Sequence, residues 1–269
     1  MKPQVTVLIP AYNEGARIAR TVKAAAAIPL VDEVIVVDDG SSDDTQTQAI
    51  AAGAFVVALS KNMGKAGAVT KGLNYVSGEV VVLLDGDLTD SAQLADKLIT
   101  PILQGEADLT VAAWPRRGSK SGFGLVEGFA RIAVRLLGGQ NMASPLSGQR
   151  AAPREVLTQV AGLGSGFGLE VAMTIQALRL GYRVQEVEID FTHNKTGRNV
   201  TGFLHRFRQL THIFQTLVRL MVQQNPAPKV PDPAPRLPSL VQGNQSMPLP
   251  PTAVHEAREA EQKEGPPCI

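Results

Sequence analysis

The sequence predicts an α/β protein in which a mostly parallel sheet is flanked by helices. Apolar runs of about five residues alternate with helix-compatible segments through the first half of the chain. Short runs that are apolar throughout are typical of strands buried on both faces, as in parallel sheets. Polar clusters also follow three of these runs directly, which is where ligands bind in such sheets.

The predicted elements follow one another along the whole first half. The strands are expected at residues 5–9, 33–37, 55–59, 80–84 and 109–113. Helices are expected at residues 16–27, which are rich in alanine, and at 65–75. A second half is expected to contribute helices at 125–137 and 169–180 and a strand at 183–191. This order favours one continuous domain over residues 1–225.

The end of the chain differs from the rest in composition. Prolines stand at positions 226, 228, 231, 233, 235 and 238, and they disfavour both helix and sheet. We therefore predict a disordered tail over residues 226–269. Before it, residues 203–223 have apolar side chains at helical spacing, which favours packing against the domain. Arginines in this segment leave peripheral membrane contact and homodimer formation open.

The overall composition excludes several classes of function. A formal net charge of +1 gives no basis for binding nucleic acid through bulk electrostatics. The single cysteine, Cys268, excludes an intramolecular disulfide and fits a reducing compartment. The start of the chain lacks a secretory signal, and the apolar runs are too short to span a membrane. The expected location is cytoplasmic, with the inner face of the membrane left open.

The strongest candidate site is Asp85-Gly86-Asp87, which follows the predicted strand at 80–84. Two carboxylates one residue apart can hold a hard cation such as Mg²⁺ or Mn²⁺ together with diphosphate oxygens. Gly86 allows a sharp turn between them. The alternative is an ordinary surface turn, because Asp and Gly are common turn residues.

Two further polar clusters have the same ambiguity. In residues 38–42, Asp38 and Asp39 could accept a hydrogen bond from a nucleobase N–H, or they could simply form a turn. Residues 10–14 (PAYNE) could pack against a nucleoside, with Glu14 as a polar contact, or could only connect a strand to a helix.

Residues 62–68 contain glycines and one lysine, Lys65, at a predicted helix entry. Backbone N–H groups and Lys65 could approach a diphosphate there. The spacing is not that of a P-loop, and no Gly-x-Gly-x-x-Gly follows the first strand, which disfavours a dinucleotide fold. His193, just past the last predicted strand, is a candidate third metal ligand, although a lone histidine is more often structural.

Together these motifs resemble family 2 glycosyltransferases of the GT-A fold, the fold of nucleotide-diphospho-sugar transferases. The resemblance rests on the order and spacing of segments 10–14, 37–41, 64–68 and 85–87. It implies a UDP-sugar donor and Mg²⁺ or Mn²⁺ as cofactor. The nucleotide-sugar residues that it implies are Pro10, Ala11, Tyr12, Glu14, Asp38, Asp39, Lys65, Asp85 and Gly86. The metal ligands that it implies are Asp85, Asp87 and His193.

The second half is similar to glucosyl-3-phosphoglycerate synthases. Residues 145–151 (PLSGQRA) resemble their acceptor-side segment, and residues 166–170 resemble their Gly-aromatic-Gly-x-Glu segment. This similarity implies that Glu170 contacts the donor sugar or the acceptor hydroxyl, and Asp87, Glu170 and Lys65 are the expected catalytic residues. The acceptor-binding residues that we expect are Gly148, Gln149, Arg150, Asn194 and Arg198.

The expected activity is transfer of a sugar, with glucose favoured, from a UDP-sugar to an acidic acceptor such as 3-phosphoglycerate. Polyprenyl-phosphate sugar transferases share the first-half motifs, so a polyprenyl-phosphate acceptor remains an alternative. A sugar-phosphate nucleotidyltransferase is disfavoured, because residues 10–14 stand where those enzymes carry a Gly-rich signature. A non-catalytic nucleotide-binding module is disfavoured by the intact Asp85, Asp87 and His193.

Overall fold

The computed structural model describes residues 4–114, 124–161 and 168–191. Within these ranges the chain forms a seven-stranded sheet with the order β3-β2-β1-β4-β6-β5-β7. The strands are β1 (Val5–Ala11), β2 (Glu33–Asp38), β3 (Phe55–Ala58), β4 (Val80–Leu83), β5 (Leu109–Ala113), β6 (Arg150–Pro153) and β7 (Val184–Glu188). Every strand pair is parallel except those that involve β6, which runs antiparallel to β4 and β5. The predicted α/β architecture with a mostly parallel sheet is confirmed.

Helices connect the strands. They are α1 (Gly15–Ala26), α2 (Thr45–Ala51), α3 (Gly64–Gly72), α4 (Asp96–Leu103), α5 (Gly124–Gly138), α6 (Arg154–Val160) and α7 (Leu169–Arg179), with a 3₁₀ helix at Thr89–Ala95. The predicted helices at 16–27, 65–75, 125–137 and 169–180 correspond to α1, α3, α5 and α7. The short helices α2, α4 and α6 and the strand β6 had no counterpart in the sequence prediction.

Each face of the sheet is covered by its own apolar core. In β1, Leu8 belongs to the core on one face, whereas Val7 and Ile9 belong to the core on the other. Neighbouring strands alternate in the same way, as the two-residue period of a strand requires. A sheet that is buried on both faces explains why the first-half strands are continuous apolar runs in the sequence.

The described residues contain no helix with the length and hydropathy required to cross a membrane. The predicted helix at 203–223, the predicted tail at 226–269, and the site candidates His193, Asn194 and Arg198 lie outside the described residues.

Candidate functional site

Three polar clusters meet at the carboxyl ends of β1, β2 and β4, which are neighbours in the sheet. The Asp39 N–H donates to the Ala11 carbonyl at 2.8 Å, which joins the ends of β1 and β2. Gly86 lies against the end of β1, because a Cβ placed on it would be 3.5 Å from Ala11 Cβ and 3.3 Å from Glu14 Cγ. The sheet order therefore brings residues 10–14, 38–42 and 85–87 together, as the sequence predicted.

The two aspartates at the end of β2 are both buried and bind the backbone around them. Asp38 Oδ1 accepts from the Ser41 N–H at 3.0 Å, which closes a tight turn. Asp39 Oδ1 accepts from the Met63 N–H at 2.7 Å, which ties the entry to α3 to the end of β2. Both carboxylates therefore have a structural role, because each binds a backbone N–H. The second bond directs Asp39, a predicted acceptor for a nucleobase N–H, toward the entry to α3.

The segment after β1 presents a mixture of buried and exposed residues. Pro10 and Ala11 are the last two residues of β1, and the Tyr12 side chain is half-exposed beside them. Glu14 Oε2 accepts from Arg17 Nε at 2.7 Å. Burial raises the pKa of Glu14 above its usual value although Arg17 opposes the shift, and the nearby negative charge of Asp87 raises it further. Negative charge is thus concentrated between Glu14 and Asp87.

Lys65 lies at the centre of the site and joins three elements. Its ammonium Nζ, on α3, is 2.5 Å from Asp85 Oδ1 at the end of β4 and 3.0 Å from Glu170 Oε1 on α7. Burial opposes the charge on Lys65, but Asp85 and Glu170 outweigh it and raise the pKa of the ammonium group. Lys65 therefore stays protonated at neutral pH and acts as a fixed cation.

A segment that precedes β6 closes over this ion-paired group. We call residues 145–149 the strap. Within it, Gln149 Nε2 donates to Asp85 Oδ2 at 2.6 Å, so both oxygens of Asp85 have hydrogen-bond donors. A Cβ on Gly148 would overlap Lys65 Nζ and would lie 3.0 Å from each Asp85 oxygen. A side chain at position 148 would therefore have to displace the Lys65 ammonium group or the strap itself.

Arg150 occupies a different environment from the acceptor-binding position expected for it. Its side chain is completely buried, and its guanidinium donates to the Ser147 carbonyl at 2.9 Å, the Pro145 carbonyl at 3.0 Å and Thr174 Oγ1 at 2.8 Å. A direct contact with an acceptor would require Arg150 to leave these partners. Burial has thus committed the guanidinium to protein atoms in this structure, and the acceptor contact stays a prediction. Gln149 is also buried and bonded to Asp85.

A hard divalent cation fits the donor chemistry near Asp87. The Asp87 carboxylate follows β4 and lies close enough to Glu14 for the two negative charges to interact. Oxygen donors in a region of concentrated negative charge suit Mg²⁺ or Mn²⁺. Among the residues described, no three His, Cys, Asp or Glu side chains lie together as a metal-binding group. The third metal ligand predicted from the sequence, beside Asp85 and Asp87, is His193, which lies outside the described residues.

Two residues of the site were not among the individual site residues predicted from the sequence. Ser147 Oγ donates to Gln149 Oε1 at 3.1 Å, and Thr174 Oγ1 donates to the Glu170 carbonyl at 3.0 Å. Both are buried. Thr174 follows Glu170 by four residues on α7, a helical spacing that could have drawn attention to it. For Ser147 the sequence offered only its place in the strap.

Comparison with known proteins places these motifs in a family context. Residues 6–144 match the family model described as glycosyl transferase family 2. A glucosyl-3-phosphoglycerate synthase from Mycobacterium tuberculosis is 34% identical over 201 residues, which cover 66% of this chain and 62% of that protein. The match thus spans less than two thirds of that relative's length. An undecaprenyl-phosphate 4-deoxy-4-formamido-L-arabinose transferase from Serratia proteamaculans is 37% identical over 112 residues, covering 38% of this chain and 34% of that protein.

The fold has a similar neighbour among solved structures. The crystal structure of the Mycobacterium tuberculosis glucosyl-3-phosphoglycerate synthase with Mn²⁺, uridine diphosphate and phosphoglyceric acid superposes with a TM-score of 0.70 at 30% sequence identity. The superposition covers 82% of this chain and 80% of that chain. It extends well beyond the residues matched by the family model, which end before the strap.

Proposed function

The chain belongs to glycosyl transferase family 2, and from this premise we propose that it transfers a sugar from a UDP-sugar to a small phosphorylated acceptor such as 3-phosphoglycerate. The observation that carries the proposal is the ion-paired group of Lys65, Asp85 and Glu170, which lies where the ends of β1, β2 and β4 meet. The glucosyl-3-phosphoglycerate synthase relative supports this choice of substrates, and glucose is the favoured sugar.

The nucleoside end of the donor lies against the ends of β1 and β2 in this proposal. Ala11 and Asp39 form the wall there, since their backbones are joined by a hydrogen bond and Asp39 is already oriented by the Met63 N–H. Pro10, Tyr12, Glu14, Asp38 and Gly86 complete the predicted nucleotide-sugar contacts. A rigid, buried carboxylate can discriminate between nucleobases by the N–H groups that they offer.

The diphosphate lies nearer to Lys65 and Asp87. Lys65 keeps its proton, so it supplies positive charge to phosphate oxygens and does not act as a general base. Asp87, with Asp85 in support and His193 as a further ligand, would hold Mg²⁺ or Mn²⁺. When bound, the ion neutralises the charge that develops on the departing diphosphate. Glu170, already fixed by Lys65, is placed to accept a hydrogen bond from a sugar or acceptor hydroxyl.

The reaction exchanges one bond to the anomeric carbon for another. The acceptor oxygen forms a bond to that carbon while the bond to the diphosphate oxygen breaks, and UDP leaves with the bonding electron pair. The hydroxyl proton of the acceptor is released. Gly148, Asn194 and Arg198 remain the proposed acceptor-side contacts, with Arg198 and Asn194 offering donors to an acidic group. For Gln149 and Arg150, which were also expected to bind the acceptor, we propose the different roles that are argued in the next subsection.

The experiment that tests the proposal is a UDP-release assay on the full chain with Mn²⁺ or Mg²⁺. It compares UDP-glucose with 3-phosphoglycerate against UDP-glucose or GDP-mannose with a polyprenyl phosphate. We expect release that depends on 3-phosphoglycerate. Release of UDP that requires the lipid phosphate would show that the acceptor is a polyprenyl phosphate and not a small molecule. That result would also favour contact with the membrane surface. The match to the undecaprenyl-phosphate enzyme covers only 38% of this chain, which favours the small acceptor.

A matched pair of substitutions tests the role of Asp87. We expect Asp87→Asn to lower turnover roughly a hundredfold, since a carboxylate that would bind the cation is lost. Asp90→Asn removes an exposed carboxylate three residues later that is paired with Arg20 at the surface, and it should change turnover less than twofold. Equal effects of the two substitutions, or no UDP binding by the unmodified protein in calorimetry with Mn²⁺, would contradict the proposal.

A further inference from the structure

Arg150 lies at one point of a closed ring of polar contacts that joins the strap to the ion-paired group. In one direction its guanidinium donates to the Ser147 carbonyl, Ser147 Oγ donates to Gln149 Oε1, and Gln149 Nε2 donates to Asp85 Oδ2. These three contacts are 2.9, 3.1 and 2.6 Å long. A buried cation is thereby connected to the Asp85 carboxylate through two side chains of the strap.

In the other direction the ring returns through α7. The Arg150 guanidinium donates to Thr174 Oγ1, which donates to the Glu170 carbonyl one helical turn earlier. Glu170 and Asp85 are joined by Lys65 Nζ. The ring therefore connects α3, the end of β4, the strap and α7, and a displacement at any of its members is transmitted to the others.

Charged side chains bind the backbone of the strap and of the two residues before it. The Glu186 carboxylate, on β7, accepts from the Ala143 and Ser144 N–H groups at 2.8 and 2.7 Å. Arg150 donates to two carbonyls of the strap itself. Such charge-assisted hydrogen bonds to backbone atoms are stronger than neutral ones, especially when they are buried. The segment is thus fixed more firmly than its lack of helix or strand would suggest.

The charge of Arg150 survives its burial. Burial lowers the pKa of the guanidinium to about 10, while Glu170 and Glu186 oppose the shift. Arg150 is therefore protonated at neutral pH, with its donors directed to Pro145, Ser147 and Thr174. A buried charge of this kind is costly to leave without partners, which makes the geometry of its partners well defined.

We propose that Arg150 is a positioning residue for the donor end of the site: it holds the strap so that Gln149 fixes Asp85 against Lys65. It acts through Ser147 and Gln149 and does not touch the donor or the acceptor. This inference rests on the proposed function, since it takes Asp85 and Lys65 as the residues next to the diphosphate. It gives Arg150 a role that differs from direct binding of the acceptor.

The test is a double-mutant cycle in UDP affinity, measured by calorimetry on the full chain with Mn²⁺. Arg150→Met keeps an unbranched apolar stem and removes the guanidinium, and Gln149→Ala removes the contact with Asp85. We expect each to weaken UDP binding about tenfold, as is typical for residues that orient a ligand-binding group. The double variant should be within about twofold of Gln149→Ala alone, because both substitutions interrupt one chain of contacts.

A matched control separates positioning from general loss of stability. Arg183→Met breaks the bond of another arginine to a largely buried carboxylate, Asp108, which lies outside the ring. We expect it to lower the melting temperature without changing the affinity for UDP. If Arg150→Met behaves in the same way, Arg150 is only structural and the inference is wrong. The inference would also be overturned if the double variant lost UDP affinity by the product of the two single losses, because the two residues would then act independently.

A milder substitution covers the case in which Arg150→Met does not fold. Ser147→Ala keeps the carbonyl that Arg150 contacts and removes only the hydroxyl that orients Gln149. We expect it to weaken UDP binding about threefold, with no further loss when it is combined with Gln149→Ala. If Ser147→Ala binds UDP as tightly as the unmodified protein, the hydroxyl does not link Arg150 to Gln149, and the inference is overturned. Failure of the unmodified protein to bind UDP would overturn both this inference and the proposed function.

Turnover gives a second readout. Because Arg150 acts on the donor end, Arg150→Met should raise the KM for the UDP-sugar and leave the KM for the acceptor within about twofold. Arg150→Lys, which keeps the charge but lacks the planar array of donors, should recover only part of the donor KM. A larger rise in the acceptor KM would instead restore Arg150 as an acceptor-binding residue.

Discussion

Gly148 shows how one missing side chain can determine the geometry of a site. The backbone of the strap passes so close to Lys65 and Asp85 that a Cβ at this position would overlap the ammonium group. Lys65 in turn compensates the charges of two carboxylates from different elements. At the scale of single residues, the site is therefore defined by one partly buried cation and by one position where an added side chain would displace it.

Gly148→Ala tests the close approach of the strap. We expect it to displace the strap or Lys65, to destabilise the fold by about 1–3 kcal/mol, and to weaken UDP binding about tenfold or more. Thermal denaturation and calorimetry would measure the two effects. An alanine variant with unchanged stability and UDP affinity would show that the strap does not need to approach so closely.

Lys65→Met tests the shared cation. It leaves Asp85 and Glu170 without the positive charge between them, and we expect a loss of about 1–3 kcal/mol after allowance for partial exposure of the ion pairs. Combining it with Glu170→Gln removes one of the uncompensated charges and should recover part of the loss, as measured by urea denaturation. If the double variant is less stable than Lys65→Met, Lys65 does not stabilise Glu170.

At the scale of elements, the distance between α3 and the sheet is set by Gly72. A Cβ at this position would lie 2.6 Å from Leu8 Cδ1 and 2.7 Å from Val37 Cγ2, on β1 and β2. The close packing of the helix at Gly72 sets how far Lys65, on the same helix, lies from the ends of the strands. The orientation of α7 matters in the same way, because it carries Glu170 and Thr174.

Gly72→Ala and Gly128→Ala form a matched pair with opposite expected signs. At Gly72 the added methyl group must displace core side chains, and we expect a loss of about 1–3 kcal/mol. Gly128 lies inside α5, and among the described residues no neighbouring atom lies within 4 Å of an added Cβ, so alanine should stabilise the protein by about 0.5–1 kcal/mol through helix propensity. Urea denaturation of both variants gives the comparison. A loss of stability in Gly128→Ala would contradict it.

At the scale of the whole molecule, the two halves of the chain meet in one sheet. β6 pairs with β4 and β5, and β7 pairs with β5, so residues after position 145 complete a site whose other members precede position 88. The Asp108–Arg183 pair connects the segments that lead into β5 and β7. Asp108 accepts from the Arg183 N–H and from its guanidinium at 2.8–3.0 Å.

The Asp108–Arg183 pair predicts a dependence of stability on pH. Burial alone would raise the pKa of Asp108, but the hydrogen bonds and charge of Arg183 lower it below the usual value. A carboxylate with a lowered pKa in the folded state stabilises the protein above its unfolded pKa of about 3.9. That stabilisation is lost as the pH falls through the lower folded-state value.

Asp108→Asn should therefore reduce the free energy of unfolding by about 1–2 kcal/mol at pH 7. The difference between this variant and the unmodified protein should begin to shrink below about pH 4, where Asp108 becomes protonated in the unfolded chain, and should vanish at lower pH as the folded-state carboxylate is protonated as well. Urea denaturation across the pH range would measure it. A difference that stays constant from pH 7 to pH 3 would show that the charge of Asp108 contributes nothing.

The sequence alone was sufficient for the five strands of the first half and for the clusters at the strand ends. Strands β1 to β5 are continuous apolar runs, because both faces of the sheet are buried, and this pattern is local information. The polar residues after β1, β2 and β4 could also be placed together, since the carboxyl ends of parallel strands share one edge of a sheet. Lys65, Asp85, Asp87 and Glu170 were candidates before the structure was considered.

Tertiary structure alone decided how those candidates are combined. β6 is a short strand of small residues with one buried arginine, so no periodicity marks it, and its antiparallel pairing depends on residues far away in the chain. The role of Arg150 could not be read from its residue type, because an arginine in a polar segment suggests a ligand as readily as a partner for backbone carbonyls. The two roles are distinguished only by the burial of that guanidinium and by the strap, which folds over Lys65 and Asp85. Burial and long-range contacts are properties of the folded chain, so the sequence could not supply them.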